Sequence, residues 1–331
     1  MKGQVRGGVM PVADAAELIE QGLSLTIAGD EALLVQLPRG LWIGGTTPYF
    51  MTDEGGQCSR DSVFVQCLGT ENACVTSYSK DTLAHILEDA PENGYSIIIL
   101  PAASEVLEVY AHHAPYFPDM FIKPIVGWVS GVHLSELGQR SAAVLDGQNR
   151  ELHTDRAVVL HVRLPENRSA VVHTVNLFEA GSGPELTFET TGDYPGNCYI
   201  DGVAGNLAEA IVAREISAEQ PLIADYCGAM VNVSIQSKDE THGRVRLYAP
   251  VFKDVRYRFA RPVEDYAAKF MAAMPEHPDN LVFGCNCILN YLYSDLEGKK
   301  TGQLTGPITF GEVAYQLLNQ TAVFLTVEYG D

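Results

Sequence analysis

The stretch Tyr95-Ser96-Ile97-Ile98-Ile99-Leu100 constrains the fold more than any other segment. A strand of this composition has no polar face, so it must be covered on both sides. Further strand-like runs surround it in sequence: Leu23–Ile27, Ser62–Cys67, Ala73–Tyr78, Pro124–Val129, Ala157–Val162, Ala170–Val175 and Ala322–Val327. The segment Leu41–Thr47 is short and apolar enough to suit either a helix end or a buried strand, as is Ala32–Leu37. Helical patterns fall between the strands, at residues 12–21, at Lys80–Glu88, at Ser104–His112 behind a serine cap, at the end of 199–216 and at Pro262–Ala273. Alternation of this kind predicts an α/β (α+β) protein with mixed β-sheets flanked by helices.

The length of 331 residues suits two domains of about 150 residues each. Turn formers gather in NLFEAGSGPEL, residues 176–186, which puts the boundary between domains at 1–175 and 176–331. Hydrophobic residues make up 46% of the chain, enough for substantial cores. Lys and Arg total 22 against 42 Asp and Glu, a formal charge of -20. That balance argues against nucleic acid and anionic membranes as partners, because affinity for either rests on basic residues. The first residues lack the apolar core of a signal peptide, and no run approaches 18 apolar residues. Seven irregularly spaced cysteines fit a reducing compartment, so the cytoplasm is the expected location.

No phosphate-binding or dinucleotide-binding glycine motif is present, and no cofactor is expected. Cys285-Asn286-Cys287 places both sulfurs on one side of a strand, a spacing that suits buried thiols or thiols facing a pocket better than a tetrahedral metal site. The remaining cysteines, among them Cys198 and Cys227, are scattered. His112-His113 closes a helix, whereas His161 and His173 lie in strands; a Ser/His/Asp or Cys/His set would have to be assembled by the fold. Asp201-Gly202 reads as a turn, with Asn206 and Glu209 at the start of the next helix.

Two segments have the chemistry of a binding site. Gly44-Gly45-Thr46-Thr47-Pro48 follows an apolar run and reads either as a tight turn or as a loop presenting N–H groups and hydroxyls to an anion. Near the end, GPITFGEVAYQLLNQTAVFLTV, residues 306–327, places Glu312, Asn319, Gln320 and Thr321 where packing alone favours apolar residues. Glu312 either accepts a ligand amine or caps a helix reaching toward Leu318. Asn319 and Gln320 either brace the loop into the last strand or grip a small polar ligand. Left unpaired in a core, each would cost about 1–3 kcal/mol, so Glu312 and the backbone of 284–286 are their expected partners.

This last segment resembles the end of the FIST family, named for F-box and intracellular signal transduction proteins. Gly311-Glu312 and Asn319-Gln320-Thr321 match its positions, while IGGTTPYF (43–50), IKPIVGWVSG (122–131) and YIDG (199–202) are similar to further segments in both FIST domains. The resemblance implies a sensory module for small ligands such as amino acids, joined to a separate signalling partner. It departs from the family where an arginine commonly follows the Phe-x-Cys segment: here the chain reads Cys287-Ile288-Leu289-Asn290, so a ligand carboxylate lacks that counter-charge.

Together these readings predict noncatalytic recognition of a small polar metabolite. The expected contacts are Thr46 and Thr47 in the first domain and Cys285, Asn286, Glu312 and Asn319 in the second. Two alternatives remain: a hydrolase or transferase using a cysteine or carboxylate, and an acidic scaffold that docks a basic protein.

Overall fold

A computed structural model describes residues 7–70, 72–226, 229–239, 241–273 and 280–330. The chain is α/β with mixed sheets, as its alternation predicts. Among the described residues there are four six-stranded sheets and one two-stranded ribbon. Cys227 lies outside the described residues.

The apolar strand Gly94–Pro101 sits inside a sheet, parallel to Ile125–Ser130 on one side and antiparallel to Ala157–Arg163 on the other. Both of its faces are covered, as its composition requires. Ile98 and Leu100 pack with Val106 and Tyr110 of the helix Glu105–His113 and with Leu186, Leu222 and Tyr257 of a later sheet. Ile97 and Ile99 pack instead with Ile43, Phe64, Phe283 and Leu325 from two other sheets. Most of the cover is therefore supplied by sheets, with short helices filling the remainder.

Helices begin where a side chain can satisfy free N–H groups. Ser104 accepts a hydrogen bond from Leu107 N at 3.2 Å, and Asn206 accepts one from Glu209 N at 3.2 Å to start Leu207–Ala213. The expected helix over Lys80–Glu88 contracts to a 3-10 turn at Leu83–His85, and the one over Pro262–Ala273 begins only at Tyr266. Ala32–Leu37 contributes a single helical turn, Glu31–Leu34, and Leu41–Thr47 becomes the strand Trp42–Thr46.

The largest departure lies in the C-terminal segment. The helix expected between Glu312 and Leu318 is a pair of strands, Glu312–Ala314 and Gln316–Leu318, turning at Tyr315 with φ 64°. Tertiary pairing overrides the helical pattern: Glu312–Ala314 is antiparallel to Ile125–Ser130, with Glu312 opposite Trp128. Val129 N donates to Gly311 O at 2.8 Å, Phe310 N donates to Val129 O at 2.9 Å, and the Tyr110 hydroxyl donates to Tyr315 O at 2.8 Å.

These ladders cross the expected 175/176 boundary. Residues 312–318 complete a sheet built from residues 73–163, and Gly306–Thr309 joins Tyr49–Thr52 to the last two long strands. Glu312 and the Thr46-Thr47 segment are thereby brought to the same interior region. Among the described residues no helix is long and apolar enough to cross a membrane.

Candidate functional site

Glu312 is 0% exposed. One carboxyl oxygen, Oε1, lies 3.1 Å from Thr309 Oγ1; the other, Oε2, accepts from Thr321 Oγ1 at 3.0 Å and Thr321 N at 3.4 Å. Thr309 Oγ1 also lies 3.2 Å from Asn286 O, and a threonine hydroxyl has only one proton. If that proton goes to the carbonyl, the carboxyl must supply the proton between Oε1 and Oγ1, which requires the neutral acid. Electrostatics agrees: burial pushes the carboxyl up to about 8, opposed by hydrogen bonds from Cys287, Thr321 and Thr309.

Next to this knot, two asparagines at i and i+4 interlock where the strand Leu281–Cys287 passes into the helix Ile288–Tyr293. Asn286 Oδ1 accepts from Cys287 N and from Asn290 Nδ2, both at 2.8 Å. Asn290 Nδ2 reaches Thr321 O as well, at 3.3 Å. Because that nitrogen faces two acceptors, the amide orientation is determined, and Asn290 Oδ1 is left without a partner, as is Asn286 Nδ2.

The two thiols near Glu312 are enclosed by the fold. Cys285 and Cys287 are buried, and burial first, then the neighbouring Glu312, pushes both well above the ordinary thiol range. Cys285 Sγ donates to Gly127 O at 3.6 Å. Both are neutral thiols, the weaker form for attack or metal binding. Among the described residues no group of His, Cys, Asp and Glu is arranged to hold a metal ion.

Thr46 and Thr47 are also buried and internally satisfied. Thr46 Oγ1 donates to Ala143 O at 3.3 Å and accepts from Ala143 N at 3.0 Å, while Thr47 Oγ1 donates to Ile308 O at 2.8 Å. Gly44 and Gly45 belong to a strand rather than to a turn or ligand loop; a Cβ on Gly45 would meet Trp128 at 2.6 Å and Ile99 at 2.7 Å. Asn319 Nδ2 donates to Leu318 O at 3.0 Å. The fold thus assembles Glu312, Cys285, Asn286 and Thr47 around Gly306–Thr309, with Thr46 and Asn319 beside the same strands, all inside the protein.

The fold also builds a Ser–His–Tyr–Asp chain that no sequence motif announces. His161 lies 2.8 Å from Ser96 Oγ and 3.0 Å from the Tyr78 hydroxyl, which donates to Asp89 at 2.7 Å. Ser96 and His161 are buried within their sheet, and burial lowers His161 to about 4. This histidine is a satisfied core residue.

A cleft of about 120 Å³ opens beside the asparagine pair. Its floor is Tyr266, Asn290 and Gln320, which are 4%, 1% and 1% exposed. Its rim includes Ser217, Glu219 and Ser294. The Tyr266 hydroxyl and Asn290 Oδ1 are both buried and unpartnered. None of the six expected contact residues lines this cleft, although Thr321 links it to Glu312 through the Asn290 bond. Sequence reasoning met Asn290 only as the residue in place of an arginine. The i, i+4 spacing of Asn286 and Asn290 across a strand-to-helix junction is the signal that marks it.

No curated protein matches the chain. The sequence model of DUF6976, a family of unknown function, matches residues 10–328, and the chain belongs to that family.

Proposed function

We propose that the protein is a noncatalytic sensory or signal-transduction module that binds a small polar molecule in the cleft over Tyr266 and Asn290. The observation that carries this reading is the cleft itself, whose floor is made by three nearly buried polar residues, Tyr266, Asn290 and Gln320. Phe178, Tyr266 and Tyr293 add aromatic surface around a few polar groups, the kind of lining a small-molecule site has. Binding would be felt beyond the cleft, since Asn290 touches Thr321 and Thr321 holds the Glu312 carboxyl. A separate signalling protein would read the shift between two states. The likeness of the C-terminal segment to FIST proteins is in keeping with this role, and the six described cysteines, all free thiols, suit the cytoplasm.

The cysteine-enzyme alternative has less support, because both thiols near Glu312 are buried and protonated. The test is ligand-observed NMR with thermal shift, at millimolar glycine, alanine, ethanolamine, propylamine, propanol, propionate, glycerol and urea. Saturable binding by at least one compound, lost in Asn290→Leu and Tyr266→Phe proteins that stay folded, is the expected result. No saturable binding across the panel means that the cleft holds water only, and the reading fails.

A further inference from the structure

We infer that the surface corner formed by Tyr116, Phe121, Ile122 and Tyr315 is a docking site for a basic segment of another protein, one that offers bulky apolar side chains flanked by Lys or Arg. This goes beyond the cleft and stands whether or not the cleft holds a guest.

Three large apolar side chains face outward within one short segment. Ile122 and Tyr116, 77% and 74% exposed, are the two most exposed large apolar residues among the described ones, and Phe121 beside them is 60% exposed. The core is already served by the same segment, because Phe117 and Met120 are buried in it and Phe117 sits edge-on to Tyr110. Backbone bonds fix the segment's shape: Phe117 N donates to Ala114 O at 3.0 Å, and Ile122 N and Lys123 N both donate to Asp119 O, at 2.9 and 3.0 Å. A surface ordered in advance loses little freedom when a partner arrives.

The apolar groups adjoin one another across a single hairpin. Phe121 packs against Tyr315, with ring centroids 5.8 Å apart, and the 3-10 turn Ala114–Tyr116 packs against Gln316–Leu318. Tyr315 holds φ 64°, a left-handed angle rare for a bulky residue, while its carbonyl accepts from the Tyr110 hydroxyl. Strain of this kind gathers at binding sites, and here it sets the Tyr315 ring beside Phe121. Apolar patches edged by polar groups mark interaction surfaces.

Charge selects the partner. Asp119 is exposed between Tyr116 and Phe121, and the neighbouring stretch 80–92 exposes Glu88, Asp89 and Glu92. The lysine of the segment does not offset them at the surface: Lys123 is turned inward, its Nζ donating to Leu87 O at 3.0 Å, Ala90 O at 3.1 Å and Glu92 at 3.2 Å. In 80–92, Lys80 pairs with Glu105 and His85 with Glu88, and no arginine lies in either stretch. With a formal charge of -20, a second copy of the chain or an anionic membrane meets like charge here, whereas Lys and Arg of a basic segment meet opposite charge.

The test uses Phe121→Ser/Ile122→Ser, a double change at exposed positions that leaves the core untouched. A displayed random-peptide library is selected on the natural protein with the double variant in excess as competitor. The enriched peptides should combine aromatic or branched apolar residues with Lys or Arg. By fluorescence anisotropy, one such peptide should bind the double variant about tenfold more weakly than the natural protein, and should weaken as salt rises. Val203→Ser, at an exposed apolar residue of another sheet, should leave its affinity unchanged. Enrichment of acidic or uncharged peptides, or of none that separates the natural protein from the double variant, overturns the inference. So does a dimer in sedimentation velocity, or binding to phosphatidylcholine vesicles, that the double variant loses: the first makes the occupant a second copy, the second a lipid surface.

Discussion

Thr309 and Glu312 face each other at 3.1 Å inside the protein, and the hydroxyl is also 3.2 Å from the carbonyl of Asn286. When the hydroxyl donates to Asn286 O, a neutral Glu312 carboxyl completes the chain by donating to Thr309, and burial favours that neutral form. This relationship turns a buried acid from a liability into a clasp between the last sheet and the turn at 310–311.

Its first consequence is a stability that depends on pH. The folded state binds the Glu312 proton up to about pH 8, whereas the unfolded chain releases it near 4.5. The contribution is complete below 4.5 and is lost as pH climbs through 8. Glu312→Gln keeps an uncharged group of the same shape, so the difference in urea midpoint between natural and variant proteins should shift in favour of the variant by a few kcal/mol equivalent from pH 5 to 9. A constant difference across that range would mean that the acid is ionised in the fold.

His161 acts with the opposite slope. The unfolded chain protonates this residue near 6.5 and the folded state only near 4, so its contribution is present above 6.5 and is lost as pH falls through the window between them. Nitrogen-15 NMR of the imidazole should report a neutral ring down to about pH 4. A midpoint near 6.5 would contradict its burial between Ser96 and Tyr78.

Thiol labelling separates the interior from the surface. In the native protein with Cys227 replaced by serine, an alkylating reagent at pH 8.5 should modify Cys58 and Cys74, which are exposed, and leave Cys285 and Cys287 untouched until the protein is denatured. Fast native labelling at either of the latter two would revive the cysteine-enzyme reading.

The close contact at Gly45 is a packing requirement. An added Cβ meets Trp128 and Ile99, both fully buried, so at least one of them must shift. Gly45→Ala should cost about 1–3 kcal/mol in chemical denaturation, with no need to invoke a ligand. A neutral substitution would show that the Trp128 ring can give way.

Asn286 carries the junction between strand and helix. Asn286→Ala removes the acceptor for Cys287 N and Asn290 Nδ2, and should destabilise the protein by about 1–3 kcal/mol. Because it also frees the Asn290 amide to rotate, it should weaken any guest of the cleft, whereas Gly45→Ala should not. Equal effects of both on binding would show that the loss is one of global stability.

Much of the fold is legible in local composition. Ser96 aside, a run such as Tyr95–Leu100 has only apolar side chains to offer, so its burial on both faces follows from its residues. Ser104 marks its helix because a hydroxyl before a helical pattern has free N–H groups to satisfy. The turn at Asp201-Gly202 follows from residues that tolerate left-handed backbone angles, φ 49° and 79°.

Other features escape a reading along the chain. The polar residues near the C-terminus are singled out by their types, but whether Glu312 meets a ligand or braces the core depends on Thr309, Thr321 and Cys287 folding around it. The helical pattern of 312–318 yields to the unpaired edge of Ile125–Ser130, far away in sequence, because completing that ladder satisfies more backbone groups than an isolated turn of helix would. The cleft is invisible for the same reason: Ser217, Tyr266, Asn290 and Gln320 belong to four separate segments. Side-chain type and period act over a few residues, and they decide which segments are strands and which must be buried. Which polar atoms end up paired, and which face an opening, is decided only when distant segments close on one another and their hydrogen bonds are shared out.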